Sequence, residues 1–162
     1  MNVLFTSDLH LGHALAAKNR GFSSLEEHDD SIIYTLLGIC TKRSILWILG
    51  DVAWNTATLA RLKEVPGHKH LIRGNHDKCG TYEYLKIFES IHGFLQYKQM
   101  WLSHCPIHPQ ELYRCVANVH GHIHKNTSSP LLPPPYLNVN WDFWGRPISL
   151  EEIRTITTSW RT

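Results

Sequence analysis

Five short apolar runs in this chain each stop at Asp, His or Asn, and that repeated boundary restricts the fold more than any other feature. "NVLFTS" (2–7) leads into Asp8 and His10, "SILWILG" (44–50) into Asp51, and "KHLIRG" (69–74) into Asn75, His76 and Asp77. "MWLSH" (100–104) ends on His104, and "CVANVHG" (115–121) continues into His122 and His124. Continuous apolar runs of this length read as buried strands. In open α/β sheets, ligands bind beyond the carboxyl ends of the strands. Strands that repeatedly finish in metal-ligating and acid–base side chains are what such a rim requires.

Helical patterns separate the early runs. "SLEEHDDSIIYTLLGIC" (24–40) places Glu27 three residues after Ser24, a capping-box pattern ahead of Ile32, Ile33, Leu36 and Leu37 at helical spacing. "TATLARLKEV" (56–65) fits a helix closed by Pro66 and Gly67. "TYEYLKIFESI" (81–91) reads as a helix before His92 and Gly93. Further on, "FLQYKQ", "MWLSH" and "CVANVHG" read as successive strands, "SSPLLPPP" (128–135) as a Pro-rich loop, "YLNVNWDF" (136–143) as another strand and "SLEEIRTIT" (149–157) as a capped helix. Alternation followed by clustered strands predicts an α/β architecture with mixed sheets and helices outside. A length of 162 residues predicts one domain over residues 1–162.

The 12 histidines nearly equal the 14 acidic residues, and histidine is both the commonest metal ligand and the side chain that titrates near neutrality. A net charge of +2 is too mild to imply nucleic-acid binding by itself. Cys40, Cys79, Cys105 and Cys115 form no C-x-x-C pair, which argues against a zinc ribbon or a thioredoxin-like motif. The run "VLF" leads straight into "TSDLH" with no secretory pattern. No apolar run approaches the ~20 residues that span a bilayer. A reducing cytoplasm and no membrane partner are therefore the expectation.

In "HGHIHKN" (120–126) the imidazoles of His120, His122 and His124 occupy every second position. An extended segment projects such residues to one face, but the spacing alone does not separate a metal trap from a decorated strand edge. Gly-Asp is likewise a common turn pair. Taken together and in order, Asp8-x-His10, Gly50-Asp51, Gly74-Asn75-His76-Asp77, His104 and Gly121-His122-Ile123-His124 resemble the signature of the calcineurin-like metallophosphoesterases. The resemblance implies an αββα β-sandwich, two mixed sheets flanked by helices, with a metal site at the strand ends. It further implies two divalent ions, one on Asp8, His10, Asp51 and His124 and the other on Asp51, Asn75, His104 and His122, with Asp51 as the bridge.

Two divalent ions roughly 3.5–4 Å apart can share a bridging hydroxide and clamp a phosphoryl group for in-line displacement. Mixed Asp, Asn and His donors suit Mn²⁺, Fe²⁺, Zn²⁺ or Ni²⁺ better than Ca²⁺ or Mg²⁺; Mn²⁺ is the ion expected here. By the same resemblance, Asp51 and Asn75 belong to the catalytic group with His76, the histidine that touches phosphate rather than metal. His76 then stabilises developing charge or protonates the leaving oxygen. The protein-phosphatase branch continues its second block as G-D-x-x-D-R-G, whereas this chain reads "GDVAWNT". The carboxylate that would orient His76 and the arginine for phosphate are missing, so its orienting partner stays open and protein phosphatase activity is not expected. His120 matches no ligand position and reads as structural packing. His13 and Arg73 are the expected substrate contacts.

The expected pocket walls are the loops 11–23, 52–56, 78–82, 105–114 and 125–135, carrying Trp54, Lys78, Tyr113, Arg114 and Lys125, with Trp141, Trp144 and Arg146 beyond them. Aromatic faces interleaved with cations can stack a base and hold a second phosphate. The expected substrate is therefore a phosphate ester of nucleotide, cyclic-nucleotide or nucleic-acid-end type, cleaved as a diester by a metal-bridging hydroxide. A phosphomonoesterase of small phosphorylated metabolites is the alternative. Less favoured is a catalytically silent scaffold, since such relatives lack ligands that are all present here. No protein partner is implied.

Overall fold

The computed structural model describes residues 2–125 and 131–160, and in it each early apolar run becomes a strand that is covered on both faces. Strands β1 (Val3–Thr6), β2 (Ile45–Ile48), β3 (His68–Ile72) and β4 (Ser90–His92) pair in parallel, and β9 (Ile148–Ser149) closes the other edge antiparallel to β1. The order is β4-β3-β2-β1-β9. A second sheet holds β5 (Phe94–Tyr97), β6 (Met100–Ser103), β7 (Ala117–His120) and β8 (Tyr136–Asn138) in chain order, with β5 antiparallel and the rest parallel. Both sheets are mixed and helices flank them, the architecture expected from the sequence.

Alternate residues of the first sheet serve two cores, which is why its strands show no polar alternation. Leu4, Leu46, Ile48 and Leu71 pack with Ile32, Ile33 and Leu36 of α2 (Leu25–Ile39), Leu59 of α3 (Thr56–Ala60) and Tyr84 of α4 (Thr81–Leu85). Val3, Phe5, Trp47, Leu49 and Ile72 face the second sheet and meet Met100, Leu102, Val119 and Leu137. The last helix, α6 (Leu150–Ser159), adds Ile153 to this inter-sheet core and opens with a complete capping box between Ser149 and Glu152. Ser24 caps α2 by accepting from the Glu27 amide at 3.0 Å, while the Glu27 carboxylate accepts from the Ser23 amide instead. Among the described residues no helix is long and apolar enough to cross a membrane.

Three elements differ from the sequence expectation. The helix read over 81–91 stops at Leu85, and Ser90–His92 is the edge strand β4. Tyr84, Phe88 and Ile91 all pack on the helix-side core, so their near-helical spacing persists although the chain has turned to pair with β3. The strand read over 136–143 ends at Asn138, and α5 (Trp141–Trp144) follows. Asn140 ends the extension by capping this helix, its side-chain oxygen accepting from the Asp142 amide at 2.8 Å, and Gly145 closes it at φ 60°. The helix read over 56–65 is α3 plus a 3₁₀ turn, Arg61–Lys63. A short helix, α1 (Ala14–Asn19), follows the first polar cluster, with His13 at its N-cap. Of the Pro-rich loop read over 128–135, residues 128–130 lie outside the described residues.

Parallel pairing in register delivers the polar clusters to one edge. Thr6 lies beside Ile48, and Ile48 beside Leu71, so the segments after β1, β2 and β3 emerge together. Backbone bonds continue the pairing outward, from Asp8 N to Gly50 O at 2.9 Å and from His10 N to Asp51 O at 3.0 Å. The buried carboxylate of Asp77 ties the next two segments: it accepts from the amides of Asp51 (3.0 Å), Val52 (2.9 Å) and Gly74 (2.7 Å) and from the Tyr84 hydroxyl (3.3 Å). Gly50, at φ 89°, lets the second and third segments approach; a Cβ there would lie 2.7 Å from both Gly74 Cα and His104 Cγ.

Asp77→Ala would leave three backbone N–H groups without their acceptor. At about 1–3 kcal/mol for each buried orphan, the variant is expected to lose about 3 kcal/mol or more of unfolding free energy in urea titration of metal-free protein. A loss below about 1 kcal/mol would show that the carboxylate is not the tie described here.

Candidate metal centre

The residues that leave the strand ends adopt an uncommon backbone. Asp8 (φ 57°), His10 (φ 52°), Asp51 (φ 54°) and His122 (φ 68°) all lie in the left-handed region, which costs a non-glycine residue on the order of 1–3 kcal/mol. Such strain persists only where neighbouring structure holds it. Here the sheet on one side and the Asp77 clamp on the other do so, and the sharp turns aim the side chains across the rim.

Two groups of electron-pair donors result. In the first, His10 Nε2 lies 3.2 Å from His124 Nε2 and 3.9 Å from Asp8 Oδ1, while His124 Nε2 is 3.5 Å from that oxygen. In the second, Asn75 Oδ1 lies 2.9 Å from His104 Nε2 and 3.1 Å from His122 Nδ1, and the two ring nitrogens are 3.3 Å apart. Asp51 stands between the groups, with Oδ2 3.8 Å from His10 Nε2 and Oδ1 3.4 Å from His104 Nε2. The structure thus brings Asp8, His10, Asp51, Asn75, His104, His122 and His124 to one place.

Hydrogen bonds behind the rings fix which nitrogen faces inward. His104 Nδ1 meets the Leu49 carbonyl at 2.8 Å and His124 Nδ1 meets Asp142 Oδ2 at 2.7 Å. Neither oxygen can donate, so both protons sit on Nδ1 and both Nε2 atoms present lone pairs. Facing them are carboxylate and amide oxygens and other imidazoles. Among the described residues no Lys or Arg pairs with Asp8 or Asp51. Lone pairs packed this closely around buried carboxylates repel unless a cation lies between them, and the donor set fits divalent metal ions. Burial pushes the Asp8 carboxyl up to about 6. Burial and the neighbouring His124 push His10 well below the usual imidazole range. His122 is lowered by burial and by His104, whereas the bond to Asp142 raises His124. A bound cation would reverse the balance at Asp8.

His76 hangs beside Asp51: its amide donates to Asp51 Oδ1 at 2.9 Å, and its ring stacks on Trp54 with centroids 6.0 Å apart and planes at 29°. Its Nδ1 is buried with no partner among the described residues. An indole face thus occupies the place left open by the missing carboxylate. His13 caps α1 through Nδ1, which accepts from the Ala16 amide at 3.3 Å, and its ring meets Trp54 edge-on at 4.2 Å. Lys78 Nζ sits 5.8 Å from the Trp54 ring centroid.

Other expected residues are engaged elsewhere. The Arg73 guanidinium donates to the carbonyls of Asp77 (3.0 and 3.1 Å) and Cys79 (3.0 Å), which makes it a brace for the loop after Asp77. His120 is a buried strand residue whose Nδ1 meets the Gly121 carbonyl at 2.8 Å and whose ring packs on Tyr136. Arg146 pairs with Glu152, and Arg114 lies against the exposed Tyr113.

Two residues that contact the rim are not among those expected from the sequence. The sequence pattern puts Asp142 in a strand, whereas it stands in α5, and nothing in "KNRGF" marks Arg20. Arg20 Nε and Nη2 both lie 2.8 Å from Asp142 Oδ1, and Arg20 also donates to the carbonyls of Asp8 (2.6 Å) and Leu9 (2.9 Å). Beside this pair a cavity of about 650 Å³ opens from His10, His76 and His124 along α1 to Trp141.

Residues 1–160 match the sequence model of the calcineurin-like phosphoesterases. The Gene 66 protein of Mycobacterium phage L5 is 28% identical, over 94% of this chain and 92% of its own length. An uncharacterised protein of Methanocaldococcus jannaschii is 33% identical, over 85% of this chain and 79% of its own. A crystal structure of a protein of unknown function from Aquifex aeolicus superposes with a TM-score of 0.77 at 27% identity, covering 96% of this chain and 98% of that one.

Asp142→Asn removes the charge behind His124 and permits the wrong tautomer. Mn²⁺ affinity measured by isothermal titration calorimetry is expected to fall by about 10–100-fold. An unchanged dissociation constant would show that Asp142 does not govern the ring it touches.

Proposed function

The chain belongs to the calcineurin-like phosphoesterase family, and we propose that it is a phosphodiesterase that works with two divalent ions, Mn²⁺ foremost, on nucleotide-like esters. The observation that carries this reading is the position of Asp51, whose two oxygens face separate groups of lone pairs. On this reading Asp8, His10, Asp51 and His124 hold one ion, and Asp51, Asn75, His104 and His122 the other. When bound, the ions supply Lewis-acid stabilisation of phosphoryl charge and activation of water.

The protein's own groups do the rest. The Asp142 and Leu49 oxygens keep the ring protons on Nδ1, so His124 and His104 offer unprotonated Nε2 atoms. His76, fixed by the hydrogen bond from its backbone N–H to Asp51 and by the Trp54 face, is the group placed to give a proton to the leaving oxygen. His13, at the cavity wall, contacts the substrate. Arg73 has no part in this scheme, because its donors are committed to backbone carbonyls.

Two features favour diesters. The rim offers imidazoles where a doubly charged monoester would call for Arg or Lys; Arg20 and Arg73 are both committed elsewhere. The cavity has apolar walls, Leu15, Phe22 and Trp141, with Lys125 at its margin, and can hold a nucleoside arm beside the first ion position. Phosphomonoester cleavage remains the competing reading. We also place the chain as one domain over residues 1–162 in a reducing cytoplasm, which suits its four unpaired cysteines.

A generic aryl phosphodiester, offered to chelator-stripped protein reloaded with Mn²⁺, should turn over faster than the matching monoester. Faster monoester cleavage would favour the competing reading. Fewer than one equivalent of metal after loading would favour a silent scaffold. His76→Ala should keep its metal and lose about 10²–10⁴-fold in kcat, while Asp51→Asn should lose metal as well as activity. The reverse pattern would overturn these roles.

A further inference from the structure

One chemically reactive group at the rim has no place in the scheme above. Cys105 follows His104 directly, and its thiol sulfur, a ring nitrogen of His104 and a ring nitrogen of His122 all lie within 4.8 Å of one another. The turn that presents it is fixed at the end of β6, where the Ser103 hydroxyl donates to the Cys105 carbonyl at 2.7 Å. The other cysteines are placed differently. Cys40 and Cys79 are buried in the helix-side core, and Cys115 sits beside the Gln96 amide at 3.8 Å.

A second observation points into the same space. His104 is only 4% exposed, and with its proton committed to Leu49, its Nε2 is aimed at the cluster. What it meets there are Asn75 Oδ1, His122 Nδ1 and Asp51 Oδ1 at 2.9, 3.3 and 3.4 Å. A buried lone pair facing acceptors marks the location of a positive charge, and Cys105 borders that location.

We infer that Cys105 is a thiolate ligand of the second ion position, joining His104 and His122. This inference rests on the two-ion reading proposed above. On binding, the thiol proton passes to solvent as the sulfur–metal bond forms. Metal–sulfur bonds near 2.3 Å and metal–nitrogen bonds near 2.0–2.1 Å require the exposed Cys105 side chain to draw inward only modestly from its present separation. The consequence is a pair of unlike positions. Asp8, His10 and His124 offer oxygen and nitrogen, whereas the second position offers sulfur as well and so prefers Zn²⁺, Co²⁺ or Fe²⁺ to Mn²⁺.

Cobalt titration of the metal-free full chain tests this. Wild type should develop an intense near-ultraviolet thiolate-to-Co²⁺ charge-transfer band, which Cys105→Ser loses and Cys115→Ser keeps. In Cys105→Ser the Zn²⁺ dissociation constant of the second ion position should rise about tenfold, with Mn²⁺ changed less than about twofold. Bound Co²⁺ with the same spectrum in wild type and Cys105→Ser would overturn the thiolate assignment while leaving two ions in place. Absence of bound Co²⁺, read by elemental analysis, would overturn both the assignment and the two-ion reading beneath it.

Discussion

Mutual repulsion among electron-pair donors is the constraint around which this structure is arranged. Imidazole nitrogens 3.2 and 3.3 Å apart, an amide oxygen 2.9 Å from a ring nitrogen whose proton lies on its far side, and two buried carboxylates occupy one small volume. Left to itself such a set would spread, because burial of unpaired charge and lone pairs is costly. It is held by backbone in the left-handed region at four positions and by a sheet that does not yield. The elevated Asp8 carboxyl expresses the same tension in protonation terms. Divalent cations would relieve it, which is the sense in which this donor set fits metal ions.

Parallel topology makes the convergence possible. Adjacent parallel strands end at the same edge, and β1, β2 and β3 in one sheet with β6 and β7 in the other supply every donor in the two groups. Strand ends alone would leave loops free to separate. Asp77 prevents this between the second and third segments, and backbone bonds from Asp8 and His10 prevent it between the first and second. The fold therefore fixes the rim from below, and polar side chains fix it laterally.

Much of this was legible in the sequence because the same residues encode both strand and site. An apolar run that stops at Asp or His states where a strand ends and what stands there, so β1, β2 and β3 and the convergent donors could be read together. The misread segments failed for physical reasons. Tyr84, Phe88 and Ile91 keep contact with one core while the chain changes from helix to strand, so burial spacing mimicked a longer helix. Asn140 behaves as a helix cap only because its side chain finds the Asp142 amide, a local bond that competes with continued extension. That misreading concealed Asp142. Arg20 was invisible because its partners lie up to 122 positions away in sequence, and no spacing rule reaches that far.

Arg20 and Asp142 explain how an imidazole at the rim keeps one tautomer without a dedicated scaffold. Against the upward push of its partial burial, the bond to His124 and then the Arg20 guanidinium hold the Asp142 carboxyl well below the usual range. The ionised carboxylate then retains the His124 Nδ1 proton and turns Nε2 toward the rim. Arg20 is itself located by four acceptors from three directions: Asp142, the carbonyls of Asp8 and Leu9, and His28 Nε2 at 2.9 Å. His28 passes the order on through Nδ1 to Asp29 at 2.8 Å, and Asp29 accepts from the Gly12 amide at 2.9 Å. The path begins and ends on the segment that carries Asp8 and His10. A loop that must hold left-handed turns at Asp8 and His10 is thus braced on its outer side by α2 and on its inner side by the ring whose orientation it helps to set. Rigidity of the turn and direction of the lone pair are one property of the same chain of hydrogen bonds.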